Sequence, residues 1–161
     1  MAILDVLKGS VVFNQLNAEQ LLKLAEIASE ENHPAGALLY KEGERADKFY
    51  IVQKGKVVLD MEADIGPHNP PTQATAVDVV SAGRAMGWSA LIYPHIYTLG
   101  AFCAEDSSLI TIDAQKLREL LLKDTALGFE VMSAVAELIA SRLTQTHVLL
   151  ISERALNLLK S

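Results

Sequence analysis

The sequence predicts a mainly β domain, a sandwich or barrel, flanked by helices. Three observations carry that prediction. Between residues 37 and 112 short β-branched or aromatic runs alternate with glycine-containing turns, giving about seven or eight strands. Before them lies one segment with helical spacing and a capping signal. After Asp113 the apolar spacing becomes helical and stays so to the end of the chain.

Residues 2 to 8 suit one or two helical turns. Asn17 precedes Ala18-Glu19-Gln20, a capping-box start, and Leu21, Leu24, Ala25 and Ala28 follow on one stripe, so a helix is expected over about 18–29. Phe13 and Leu16 are placed to pack beneath its first turn. His33-Pro34-Ala35-Gly36 signals a turn, Ala37 to Tyr40 a short strand, and Lys41-Glu42-Gly43-Glu44 a second turn. Phe49 to Val52 and Val57 to Leu59 read as two strands of a hairpin across Lys54-Gly55-Lys56, with Gly55 supplying a positive φ. Residues 63 to 75 hold three of the five prolines and read as an exposed loop. Strands follow over Ala76–Val80 and near 97–104 and 108–112. Asp113 caps a helix over Ala114–Leu122. Asp124 or Thr125 caps a longer one over about 126–159, which runs about 50 Å. Val131, Val135 and Leu138 mark its inner stripe, continued by Leu149 and Leu156. The strongly apolar end, Val148 to Ile151 and Leu156 to Leu159, needs a second subunit to cover it. The chain divides into a β unit, 1–125, and a dimerising helix, 126–161.

Bulk properties exclude several functions. A net charge of -6 with no basic run argues against a nucleic-acid surface. A single cysteine, Cys103, excludes an internal disulfide framework and fits a reduced, cytoplasmic setting, with the thiol an inert core group. No apolar run is long enough to span a membrane. The four histidines, His33, His68, His95 and His147, are scattered without metal-ligand spacing, so no metal is expected. Ser89 in Gly-Trp-Ser-Ala-Leu lacks the second glycine of a nucleophile elbow and has no neighbouring base, which argues against catalysis.

The most informative stretch is 83–113. Its glycines, Gly83 and Gly87, lead into a short helix-like piece, a backbone arrangement able to hold an anion. With the spaced Gly36, Gly43 and Gly55, the run Asp47 to Val57 and the cassette Gly87 to Ile92 followed by Tyr93, the chain resembles the cyclic-nucleotide-binding domain family over nearly its whole length. That resemblance implies a β jelly roll with an N-terminal helix and two C-terminal helices. It also implies a non-catalytic sensor or regulatory role, a cyclic nucleotide as ligand, and a final helix that signals and dimerises. In that family a cassette Glu takes a ribose hydroxyl and a cassette Arg takes the cyclic phosphate. Here Gly87 and Ala90 match the pattern, Trp88 stands at the Glu position, and Tyr97, followed by Thr98, stands at the Arg position. Between Arg84 and Lys116 there is no Lys or Arg, and His95 is the one residue there that can become cationic. The candidate ligand-binding residues are therefore Gly87, Trp88, Ser89, Ala90, Tyr97 and Thr98, with the N–H groups of Ser89 and Ala90 and the hydroxyls of Ser89 and Thr98 left to meet a phosphate. Loss of the Arg pair costs about 1.5–3 kcal/mol, about ten- to a hundredfold in affinity. Trp88 and Tyr97 are expected to fill part of the sugar–phosphate pocket.

Three readings follow: weak or lost cyclic nucleotide binding, sensing of a more apolar small molecule, or a ligand-free dimeric interaction module with an unknown protein partner. No DNA-reading helix follows the long helix, so the output is expected to pass to another protein or a partner helix.

Overall fold

The computed structural model describes residues 2–62 and 74–160. Helix α1 (Ile3–Gly9) and helix α2 (Ala18–Glu26) precede eight strands: β1 (Ala28–His33), β2 (Leu38–Tyr40), β3 (Lys48–Lys54), β4 (Lys56–Glu62), β5 (Ala74–Ser81), β6 (Ala85–Met86), β7 (Gly100–Cys103) and β8 (Ser107–Asp113). A 3-10 turn at Trp88–Ala90 separates β6 from β7, and helices α3 (Ala114–Lys123) and α4 (Thr125–Lys160) close the chain. The strands form two four-stranded antiparallel sheets, β1-β8-β3-β6 and β2-β7-β4-β5. The mainly β jelly roll with flanking helices is thus present.

The core follows from strand alternation. Along β3, Phe49 faces the helices and meets Phe13, ring centroids 5.9 Å apart, while Tyr50 faces the opposite sheet and meets Tyr40 at 5.6 Å. One strand therefore joins both layers, and its residues 49 to 52 are all buried. The predicted caps form as drawn. Asn17 and Gln20 exchange bonds in a capping box, Asp113 accepts from the Lys116 N–H, and Asp124 accepts from the Leu127 N–H at 3.0 Å. Phe13 and Leu16 are buried beneath α2 as expected.

Four expectations are corrected. Helix α2 ends at Glu26, and Ala28 opens strand β1 instead of extending the stripe to 29. That strand, Ala-Ser-Glu-Glu-Asn-His, has poor strand propensity; it forms because the buried β8 offers it a ladder, with Ser29 against Thr111 and Glu31 against Leu109. The hairpin across Gly55 does not exist. Gly55 has the positive φ of 92°, yet β3 pairs with β8 and β6 while β4 pairs with β5 and β7, so the chain crosses from one sheet to the other there. A Cβ at Gly55 would lie 2.8 Å from the Asp106 carbonyl, which closes the crossing to any other residue. The strand placed at 97–104 begins only at Gly100, because Tyr97 is tied to the β2–β3 turn: its N–H donates to Glu44 O and its carbonyl accepts from Gly43 N–H. Finally, Ala74 and Thr75 belong to β5; the remainder of the expected loop, 63–73, lies outside the described residues.

Helix α4 packs by its first half. Leu127, Val131 and Val135 are buried, Gly128 sits where a Cβ would meet Leu121 O at 2.5 Å, and Leu138 and Ile139 are half-buried. From Leu143 on every described residue of the helix is exposed, Leu149, Ile151 and Leu156 among them.

Candidate functional site

Gly87 places the cassette. Its φ of 76° turns the chain from β6 into the 3-10 turn, and a Cβ there would approach Lys48 O at 3.0 Å and the Tyr50 ring at 3.2 Å. Glycine is required because the cassette lies directly on β3. From α3, Arg118 donates to Ala90 O at 2.7 Å, which ties the cassette to the helical end of the molecule.

Five of the six candidate residues meet around one recess. Gly87, Trp88, Ser89, Tyr97 and Thr98 line it; Ala90 is buried behind it. The recess holds only about 20 Å³, space for about one water or one oxygen atom. Tyr97 explains its size. The side chain is 4% exposed, and its ring stacks on Tyr40 with centroids 3.6 Å apart and planes 12° apart. Its hydroxyl donates to Lys48 O at 2.7 Å and accepts from Lys48 N–H at 3.2 Å. Burial pushes the Tyr97 phenol above its ordinary value, as it does for Tyr40 and Tyr50 beside it. Tyr40 and Tyr97 both line the recess, and Tyr50 packs against Tyr40 behind it. The Ala90 N–H, counted by sequence among the phosphate donors, is already bonded to Gly87 O at 3.0 Å. His95 lines neither this recess nor the groove beside it. Cys103 is buried, and burial pushes its thiol up, away from the reactive thiolate.

Trp88 forms the wall between the recess and a larger groove of about 640 Å³. That groove runs between α4 and the edge of the second sheet, with Val77, Leu99, Ile139 and Leu143 among its walls. Arg142 lines both spaces. Its Nη2 donates to Ala85 O at 3.2 Å and lies 3.7 Å from an Asp78 carboxylate oxygen, while its Nε is buried without a hydrogen-bond partner among the described residues. Arg142 is not among the candidate residues expected from the sequence. The signal was its spacing: it follows Val135 and Ile139 by steps of four and three, on the face that is otherwise buried. Among the described residues no group of His, Cys, Asp and Glu could hold a metal, and no helix is long and apolar enough to cross a membrane.

With this geometry in hand, comparisons with known proteins are specific. The sequence profile of the cyclic nucleotide-binding domain matches residues 30–124. A cGMP-dependent protein kinase of Drosophila melanogaster, isozyme 2, is 24% identical over 119 residues, 73% of this chain but 12% of the kinase. The chain thus spans about an eighth of that relative's length. Among solved structures, a protein of Geobacter metallireducens assigned as cyclic nucleotide-binding superposes with a TM-score of 0.75 at 29% identity, covering 89% of this chain and 99% of the other. A cyclic nucleotide-binding domain from Methylobacillus flagellatus superposes with a TM-score of 0.77 over 94% of this chain and 82% of its own, at 18% identity, a likeness of fold.

Proposed function

The chain belongs to the cyclic nucleotide-binding domain family, and from that premise we propose that it is a non-catalytic regulatory domain in which cyclic nucleotide binding is weak or lost. One observation supports the proposal: Tyr97, which stands where the family's Arg would by resemblance, is stacked on Tyr40 and bonded twice to Lys48 at the wall of a recess of about 20 Å³. A ribose phosphate enters only if Tyr97 is expelled, and it then finds no cassette Arg or Glu to receive it. Trp88 at the Glu position removes a buried carboxylate that would lack a sugar hydroxyl.

The output runs through the helices. Arg118 joins the cassette to α3, Gly128 lets α4 lie close on α3, and Arg142 joins α4 to the recess. A ligand that favours one position of α4 over another shifts the population accordingly. The exposed apolar end of α4 makes a homodimer seam or a partner-protein contact, in a cytoplasmic setting, with residues 1–125 as sensor unit and 126–161 as transmitting helix. The groove beside Trp88 favours a second reading in which an apolar small molecule is the ligand, since its volume and walls suit one.

Titration with cyclic AMP and cyclic GMP, followed by Trp88 fluorescence, tests the proposal. Trp88 borders both spaces, so binding in either changes its emission. A flat trace to millimolar nucleotide is expected; a saturating change at micromolar nucleotide overturns it.

A further inference from the structure

The groove and Arg142 together point to the chemistry of a ligand. Resting on the reading that the cassette is closed to cyclic nucleotides, we propose that the groove takes an amphipathic monocarboxylate, its apolar body along α4 and its head group on Arg142.

Charge carries the first part of the argument. The Asp78 carboxylate, from β5, is shared: it lies 3.3 Å from Arg84 Nη2 and 3.7 Å from Arg142 Nη2. Two guanidinium groups thus stand against one carboxylate, and the cluster keeps one positive charge without a counterion among the described residues. The Arg142 side chain is 15% exposed, so that charge is largely desolvated. Its Nε is a buried donor with no acceptor among the described residues. A single anionic group at the inner end of the groove would accept from that donor and neutralise the cluster. A phosphate monoester, with close to two charges, would overshoot this balance; a singly charged cyclic phosphate would not, and the cyclic AMP probe below distinguishes it from a carboxylate. A carboxylate matches the guanidinium fork and carries one charge.

Shape and polarity carry the second part. The space is about 640 Å³, within the ordinary range for small-molecule sites. Val77, Trp88, Leu99, Ile139, Leu143 and Leu149 supply apolar walls from three parts of the fold, and Asp78 and Arg142 are its only charged lining residues among those described. An apolar tail lies between α4 and the second sheet while the head stays at Arg142. Such a ligand bridges the helix to the roll, so its binding free energy acts directly on the position of α4.

The test uses the full chain with decanoate, decan-1-ol and cyclic AMP as probes, read by calorimetry and Trp88 fluorescence. Decanoate is expected to bind one to one, at least about tenfold more tightly than decan-1-ol, the difference coming from the charge-assisted bonds. Arg142→Met should erase the preference for the acid, provided circular dichroism shows the variant folded. Asp78→Asn should tighten decanoate alone, because Arg142 loses its competing carboxylate. Absence of decanoate binding, equal affinity for acid and alcohol, or an acid preference that survives Arg142→Met overturns the proposal. If Arg142→Met does not fold, Asp78→Asn decides: unchanged or weaker decanoate binding overturns it. The cyclic AMP arm separates the two readings. Saturable cyclic AMP binding overturns the closed cassette, whereas failure of decanoate with cyclic AMP silent overturns only the carboxylate assignment.

Discussion

Removing one oxygen atom, by Tyr97→Phe, separates a structural Tyr97 from a ligand-binding one. In the native structure that hydroxyl makes two bonds to the backbone of one residue, donating to Lys48 O at 2.7 Å and accepting from Lys48 N–H at 3.2 Å. Phenylalanine keeps the ring against Tyr40 but leaves both Lys48 groups short of a partner beside a recess with room for about one water. An unsatisfied buried polar group costs about 1–3 kcal/mol, and we expect a loss of about 2 kcal/mol. For a domain of this size that lowers Tm by about 4–8 °C. Tyr97→Ala also removes the ring and should cost about 3–5 kcal/mol. Urea unfolding followed by circular dichroism measures both. A Tyr97→Phe variant within about 0.5 kcal/mol of the native protein, the range of an ordinary surface change, would refute the reasoning. The hydroxyl would then be free to serve a ligand.

Other predictions concern the pocket, pH and the final helix. The double variant Trp88→Glu, Tyr97→Arg restores the family's two charged determinants and should raise cyclic AMP affinity by about ten- to a hundredfold, measured by calorimetry; a folded double variant that still ignores the nucleotide would show that the pocket differs beyond these side chains. Burial holds the Tyr40, Tyr50 and Tyr97 phenols above their ordinary value. Their contribution to stability is therefore complete below about pH 10, where unfolded tyrosine ionises, and is lost as pH rises toward the folded values. The urea midpoint should fall above about pH 10, and less steeply in Tyr97→Phe; equal slopes in the two proteins would contradict this. The native chain is expected to dimerise in light scattering, and removing residues 148–161, which deletes Leu149, Ile151, Leu156, Leu158 and Leu159, each more than half exposed, should reduce that dimerisation. A dimer of unchanged strength would place the interface elsewhere.

Features that depend on a few neighbouring residues were legible in the sequence. The Asn17 capping box, the Asp113 cap, the positive-φ glycines and the cassette turn at Gly87 all arise within a few positions. Strand β1 was missed because its residues have no strand preference of their own, and β8 supplies the ladder from about eighty positions away. Gly55 marked a tight turn, but whether two strands pair or part after a turn depends on which sheet each joins. At the site, the absence of Glu and Arg from the cassette was visible, as was the idea that Trp88 and Tyr97 take up pocket space. The packing of each was not: Tyr97 lines the recess, stacked on Tyr40, and Trp88 divides the recess from the groove. Arg142 was not among the expected site residues, because only the packing of α4 on the roll brings it beside Asp78 and Ala85.

The claim that the cassette is closed is tested most directly by crystals grown with millimolar cyclic AMP. The account predicts Tyr97 stacked on Tyr40, its hydroxyl on Lys48, and no nucleotide beside Gly87 to Ala90. A cyclic phosphate seated on the cassette with Tyr97 swung away would contradict it.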